Sequence, residues 1–385
     1  MNRRTLMAGA AALLLAGGLS RAGDGVATDA IAWAQVAAFE GPAAALGTAM
    51  NAGLRAAFEE VNRAGGIHGR RLTLATRDDG YEPGRSIEAV RTLASEGAVF
   101  GLIGAVGTPT AKVIQPIAAK AGMPFVGPFT GAGFLRDAAL GNVLNVRASY
   151  GAETEAWMRL LVDERKLERI AILYQDDAFG RAGLEGVEAA LGRRGMALAA
   201  RGTYARNTVA VKAALIEIRK ADPQAVVMVG AYKPAAAFIR NARKLKLDAT
   251  FVNISFVGSD ALARELGADG VGVIVSQVVP FPWDRSLPVV AAYQDALAAS
   301  DPGAEPGFVS LEGYLAGRIA AETLRRTGPA PTQAGFMAVA AALGEVDLGG
   351  LVARYGADDN QGLDDVFLTV IGPDGRYAPL GGPQS

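Results

Sequence analysis

In the stretch GLIGAVGTPTAKVIQPIAAKAGMPFVGPFTGAG, residues 101–133, the groups best able to do chemistry are threonine hydroxyls and the backbone bared by glycine. Gly104 and Gly107 let the chain approach a ligand closely. Thr108 and Thr110 present hydroxyls where an apolar strand run turns into a helix, whose first free N–H groups favour an anion. The spacing is not G-x-G-x-x-G and the corner lacks the lysine of a P-loop, so a dinucleotide or triphosphate fits poorly. A carboxylate is small enough to be held there. The same residues also make an ordinary tight turn, with Thr108 capping the helix ahead of Pro109, which suits the first helical position. The two roles are compatible.

Catalytic chemistry has little support. The single histidine, His68 in GGIHGRR, reads as a solvated turn residue, since no nucleophile motif accompanies it. Asp78-Asp79, Asp176-Asp177 and Asp364-Asp365 read as turn and cap residues. The chain has no cysteine, which removes disulfides, thiol catalysis and zinc–thiolate sites. It also has no D-x-D-x-D-G loop and no G-x-S-x-G elbow. No enzyme, metal or cofactor is expected. Lys and Arg number 38 against 39 Asp and Glu, with no basic run, so nucleic acid and anionic membranes are not expected partners. A small neutral or zwitterionic molecule fits better.

The elements that must position these groups alternate. A chain of 385 residues predicts two domains. DAIAWAQVAAF reads as strand; LGTAMNAGLRAAFEEVNRAGG as a helix stopped by Gly65-Gly66; RRLTLATRDD as strand; PGRSIEAVRTLASEG as a helix opened by Pro83; and VFGLIGA as a buried strand. The same grammar restarts after Ser149 and runs through AETEAWMRLLVDER, RIAILYQ, GRAGLEGVEAALGRRG, MALAARGTY, TVAVKAALIEIRKA, AVVMVGA, KPAAAFIRNARKLK, TFVNIS and GVIVSQVV. Such alternation predicts an α/β fold of two similar lobes, each a parallel sheet flanked by helices. Helices LPVVAAYQDALAAS, LEGYLAGRIAAETLRRTG and QAGFMAVAAALGEV follow Pro280 and are expected to pack back on the first lobe. DDVFLTVIGPDGRYAPL reads as a hairpin on a Pro-Asp-Gly turn.

Residues 1–22 read as a secretory signal: Arg3 and Arg4 precede LMAGAAALLLAGGL, and Ser20-Arg21-Ala22 offers small residues at a cleavage site. The apolar run is short for a membrane span. NRRTLM resembles a twin-arginine signal, so export by the Sec or Tat route stays open. No lipid-attachment cysteine follows, and a free periplasmic product is expected.

VAAFEGPAAALGTAMNAGLRAAFEEVNRAGGIHGRRLTLATRDDGYEP resembles the opening of the leucine/isoleucine/valine-binding protein family, the type I periplasmic receptors of ABC importers. The similarity continues through GLIGAVGTPTAKVIQPIAAKAGMPFVGP, RIAILYQDDAFGRAGLEGV and VVMVGAYKPAAAFIRNARKL. The resemblance implies two lobes joined by a three-crossover hinge that closes on a ligand and delivers it to an ABC permease and its ATPase subunits. It places the first lobe in residues 23–148 with 281–365 and the second in 149–280 with 366–385. A monomer is expected. A ligand sensor of the same fold is the alternative, and a periplasmic enzyme a weaker one.

Carried over position by position, Thr108 falls where the family uses a hydroxyl on the ligand carboxylate, with Gly107 before it as a ligand-side position on the corner reading, and Phe129, Thr130 and Gly131 fall on the loop that holds the same end. Gly131 stands where the family has a threonine. Phe179 and Tyr232 match aromatic positions that pack on the ligand, and Tyr150 and Trp283 fall near the crossovers. Amino-acid receptors place an acid near Ser255 or Phe256 to pair with the ligand ammonium, and neither position here is acidic. A buried ammonium needs its counter-charge, so Asp176, Asp177, Glu40 or Glu153 would have to supply it, or the ligand has no ammonium. An apolar or aromatic carboxylate suits the aromatic set, in which Phe39 and Phe256 read rather as core.

Overall fold

The computed structural model describes residues 24–137 and 139–380; the signal segment lies outside them. Three strand–helix units come first: β1 (Ala30–Ala37), α1 (Ala44–Arg63), β2 (Arg71–Asp78), α2 (Pro83–Glu96), β3 (Gly101–Ile103) and α3 (Thr108–Lys120), followed by the short β4 (Phe125–Val126) and β5 (Val143–Leu144). They form a five-stranded parallel sheet of order β2-β1-β3-β4-β5. β1 and β2 pair in register from Ala30 opposite Arg71 to Ala37 opposite Asp78.

The chain then crosses into α4 (Tyr150–Met158), β6 (Ile170–Gln175), α5 (Ala178–Gly192), β7 (Ala200–Tyr204), α6 (Lys212–Lys220), β8 (Ala225–Val229), α7 (Tyr232–Lys244), β9 (Thr250–Asn253), α8 (Ser259–Leu266) and β10 (Ile274–Gln277). Every residue of β8, AVVMV, is buried, as a strand covered on both faces requires. Next come α9 (Pro288–Ser300), α10 (Phe308–Thr327), α11 (Gln333–Ala341), β11 (Gly344–Asp347), β12 (Val352–Tyr355), β13 (Phe367–Ile371) and β14 (Tyr377–Pro379). The second sheet has order β14-β13-β10-β9-β8-β6-β7, with β13 and β14 antiparallel, as the hairpin reading predicts.

The return to the first sheet is built on glycine. On α1, a Cβ at Gly53 would fall on the backbone of α10 around Ser310 and Tyr314; on α10, one at Gly313 would meet Met50 O and one at Gly317 would meet Ala57 Cβ. The two helices therefore approach more closely than side chains would allow. α11 adds Phe336, which meets Trp33 and Phe100 edge to face at 5.6 Å.

One helix is shorter than its sequence predicts. QAGFMAVAAALGEV stops at Ala341, and Gly344 to Asp347 pair with β12 instead. Gly344 takes φ +65, a left-handed conformation that ends a helix. Asp347 Oδ1 then accepts the amides of Gly349 and Gly350 to close the turn.

Candidate ligand site

Each side chain of the site stands just past the C-terminal end of a strand, where open parallel sheets bind ligands. From the first sheet come Tyr81 after β2, Thr108 after β3, Phe129 and Thr130 after β4, and Arg147 and Tyr150 after β5. From the second come Phe179 after β6, Arg206 after β7, Tyr232 after β8, and Ser255 and Phe256 after β9. The two sets face each other.

Thr108 is the first residue of α3, and its side chain makes no cap bond. Its hydroxyl instead lies 2.6 Å from that of Thr130, both buried. The capping reading therefore gives way to the facing one. Thr110, expected to present a hydroxyl, turns it back onto the carbonyls of Val106 and Gly107, a local bond that helix-start threonines readily make. Gly107, at φ +109, leaves room for the Tyr81 ring where a Cβ would collide with it.

Ser149 caps α4 by accepting the Ala152 amide at 3.1 Å. Tyr150 and Glu153 are thereby set on one face of its first turn. Burial raises Tyr150's phenol above its ordinary value, with Arg147 and the Thr130 and Thr108 hydroxyls pulling the other way. It stays a donor, close to both threonine hydroxyls but, among the described residues, with no hydrogen bond of regular geometry. Gly131 fits this tyrosine: a Cβ there would lie 2.5 Å from Tyr150 Cδ1 and 2.7 Å from its backbone nitrogen. The side chain lost at Gly131 is replaced in space by Tyr150.

The aromatic residues come together across the sheets. Phe256, read as core from the sequence, is the centre of the group: its ring centroid lies 4.5 Å from Phe179, 5.2 Å from Phe129 and 6.0 Å from Tyr81. Tyr150 and Phe179 are 5.6 Å apart. Tyr232 stands to one side, its hydroxyl 3.5 Å from the Ala45 amide of α1. Trp283 packs instead on Phe281 and Phe308 and is 40% exposed. His68 is exposed in its turn, beside the Arg325 carbonyl.

Beneath the rings lies a charged group in which the sequence marked Glu153 and Ser255 but neither Arg147 nor Glu312. Arg147 is fully buried; its Nη2 donates to Glu153 Oε1 at 3.0 Å and contacts Ser255 Oγ. Burial opposes the Arg147 charge, but the carboxylates of Glu312 and Glu153 outweigh it. Glu153 Oε2 accepts the Ser255 amide and the Ser276 hydroxyl, and Oε1 also takes the Ser255 hydroxyl. Arg136 ties down the carbonyls of Thr130, Ala132 and Arg147. A lone arginine in NVRASY, directly after an apolar strand, was the available signal.

Burial, with Glu153 adding to it against Arg147, pushes the Glu312 carboxyl up to about 7. The folded chain then keeps a proton that the unfolded chain releases near pH ~4.3. Stability is expected to fall as pH rises from there to about 7. Glu312→Gln should flatten this part of a melting-temperature profile. An unchanged slope would assign it to Asp260, which burial pushes up to about 6.

A second set of contacts joins the outer loops. Arg206 reaches Glu82 at 2.8 Å and Asp177 at 3.0 Å, while Asn207 donates to Glu82 at 2.7 Å and to the Gly80 carbonyl at 3.0 Å. Gln175 reaches the Tyr81 hydroxyl at 3.3 Å.

Comparisons with known proteins agree with this architecture. The model of a family described as periplasmic binding protein matches residues 10–376. A solved structure of a possible leucine/isoleucine/valine-binding protein from Rhodopirellula baltica SH 1 is 36% identical, with a TM-score of 0.87 over 93% of this chain and 97% of that one. A substrate-binding periplasmic protein from Ralstonia solanacearum is 31% identical, with a TM-score of 0.85 over 91% and 100% of the two chains. The Leu/Ile/Val-binding protein BraC3 of Rhizobium johnstonii is 27% identical over 297 residues, 77% of this chain and 79% of the relative.

Proposed function

The chain belongs to the periplasmic binding protein family, of the leucine/isoleucine/valine-binding type, and from that premise we propose that it captures a small carboxylate-bearing solute and delivers it to an ABC permease. Exported by its signal, it works in the periplasm. Its two lobes, residues 23–148 with 281–365 and residues 149–280 with 366–385, close on the solute, whose contacts with both sides favour the closed state. The relatives are solute-binding proteins, and capture and release need no bond made or broken.

The observation that carries this reading is the buried pair of hydroxyls, Thr108 and Thr130, beside the unpartnered Tyr150 hydroxyl and the aromatic group. Hydroxyls hold a carboxylate, and rings from both sheets cover its apolar body. Titration calorimetry of the mature chain, residues 23–385, with leucine and with 4-methylpentanoate tests it. Thr108→Ala should weaken whichever binds by about 1–3 kcal/mol. Unchanged affinity would take Thr108 out of the site.

A further inference from the structure

We propose that Arg147 reads the ligand carboxylate, and that the solute is therefore an apolar or aromatic carboxylate with no ammonium group. This rests on the carboxylate reading above and names the solute class. The argument is one of hydrogen-bond capacity. Arg147 is fully buried, yet its Nε and Nη1 have no hydrogen-bond partner among the described residues. Glu312 Oε1 lies 3.6 Å from Nη1, beyond hydrogen-bond reach. The guanidinium carbon is 5.2 Å from the Phe129 ring centre and 5.7 Å from that of Tyr150, and the Tyr150 hydroxyl is also unpartnered. Orphaned donors thus gather around two rings of the candidate site, beside the threonine pair. A carboxylate brings two oxygens with about four lone pairs to such donors and suits a guanidinium.

Acceptors for an ammonium are either engaged or face a cation: the buried Glu312, which accepts no hydrogen bond among the described residues, lies 3.6 Å from Arg147 Nη1, where an ammonium would meet the guanidinium. Both oxygens of Glu153 already take two donors each, from Arg147, Ser255 and Ser276. Asp177 takes the Phe179 amide, Gln175 and Arg206. Asp176 is exposed and paired with Arg181, and Glu40 is exposed beyond β1. None of the four acids able to replace the family's anchor is free to do so, and an ammonium left without a partner is rejected.

The test is calorimetric titration of the mature chain, residues 23–385, with 4-methylpentanoate, leucine, benzoate and the neutral amide benzamide. An amine-free acid should bind at least about tenfold tighter than its amino-acid or amide counterpart. Arg147→Gln should erase the preference for benzoate over benzamide, and Arg147→Lys should restore part of it. Leucine within about tenfold of 4-methylpentanoate, or an Arg147→Gln protein that keeps the acid-over-amide preference, overturns this inference while the carboxylate reading stands. Binding of none of the four overturns both. If Arg147→Gln fails to fold, the wild-type ratios decide.

Discussion

Glu153→Ala is expected to lower folding stability by about 3–5 kcal/mol, the range for breaking a buried ion pair from one side. The carboxylate meets the Arg147 guanidinium, the amide and hydroxyl of Ser255 and the hydroxyl of Ser276. All of these are buried, so alanine strands the Ser255 amide and leaves the other donors only their secondary contacts, Ser276 with the Asn253 carbonyl and Arg147 with Ser255 Oγ, where water cannot compensate. The loss also spans the molecule, because Arg147 and Glu153 flank the start of α4, whereas Ser255 and Ser276 belong to the second sheet and its loops. Chemical denaturation monitored by circular dichroism measures it. Glu153→Gln keeps the shape and an acceptor oxygen, and its cost should be smaller. A loss under about 1 kcal/mol for alanine would mean that the group is hydrated in solution, as exposed pairs are.

Gly131→Ala is the second large effect. The added methyl would sit against both the ring and the backbone nitrogen of Tyr150, and a backbone atom cannot rotate away as a side chain end can. Overpacking of this kind costs about 1–3 kcal/mol. It should also displace the Tyr150 hydroxyl from the threonine pair, so ligand affinity should fall together with the melting temperature. Calorimetric titration and a thermal melt on the same sample separate the two. A variant that melts like the parent would show that Tyr150 does not hold position 131 to glycine.

Much of this was legible in sequence where one residue type leaves little choice. Gly65-Gly66 ended α1, Pro83 opened α2, the Pro-Asp-Gly turn made the β13–β14 hairpin, and the apolar run AVVMV was a buried strand. β4 and β5, two residues each, were too short for any periodicity to register. Gly344 was taken into a helix because the alanine run before it favours one, although its positive φ starts β11. Family spacing singled out Thr108, Phe129 and Phe179, and all three lie just past strand ends, but hydroxyl direction depends on rotamer, and Thr110 was misjudged. Arg147 escaped because its burial depends on Glu312 of α10, far along the chain, and no local pattern records that contact.

The Arg206–Asn207–Glu82 contacts lie outside the threonine pair and the aromatic group, yet they join the same two sides of the molecule. On the proposed closure, Glu82→Ala or Asn207→Ala is expected to shorten the life of the bound state, read as a faster ligand off-rate, more than it changes which solute is preferred.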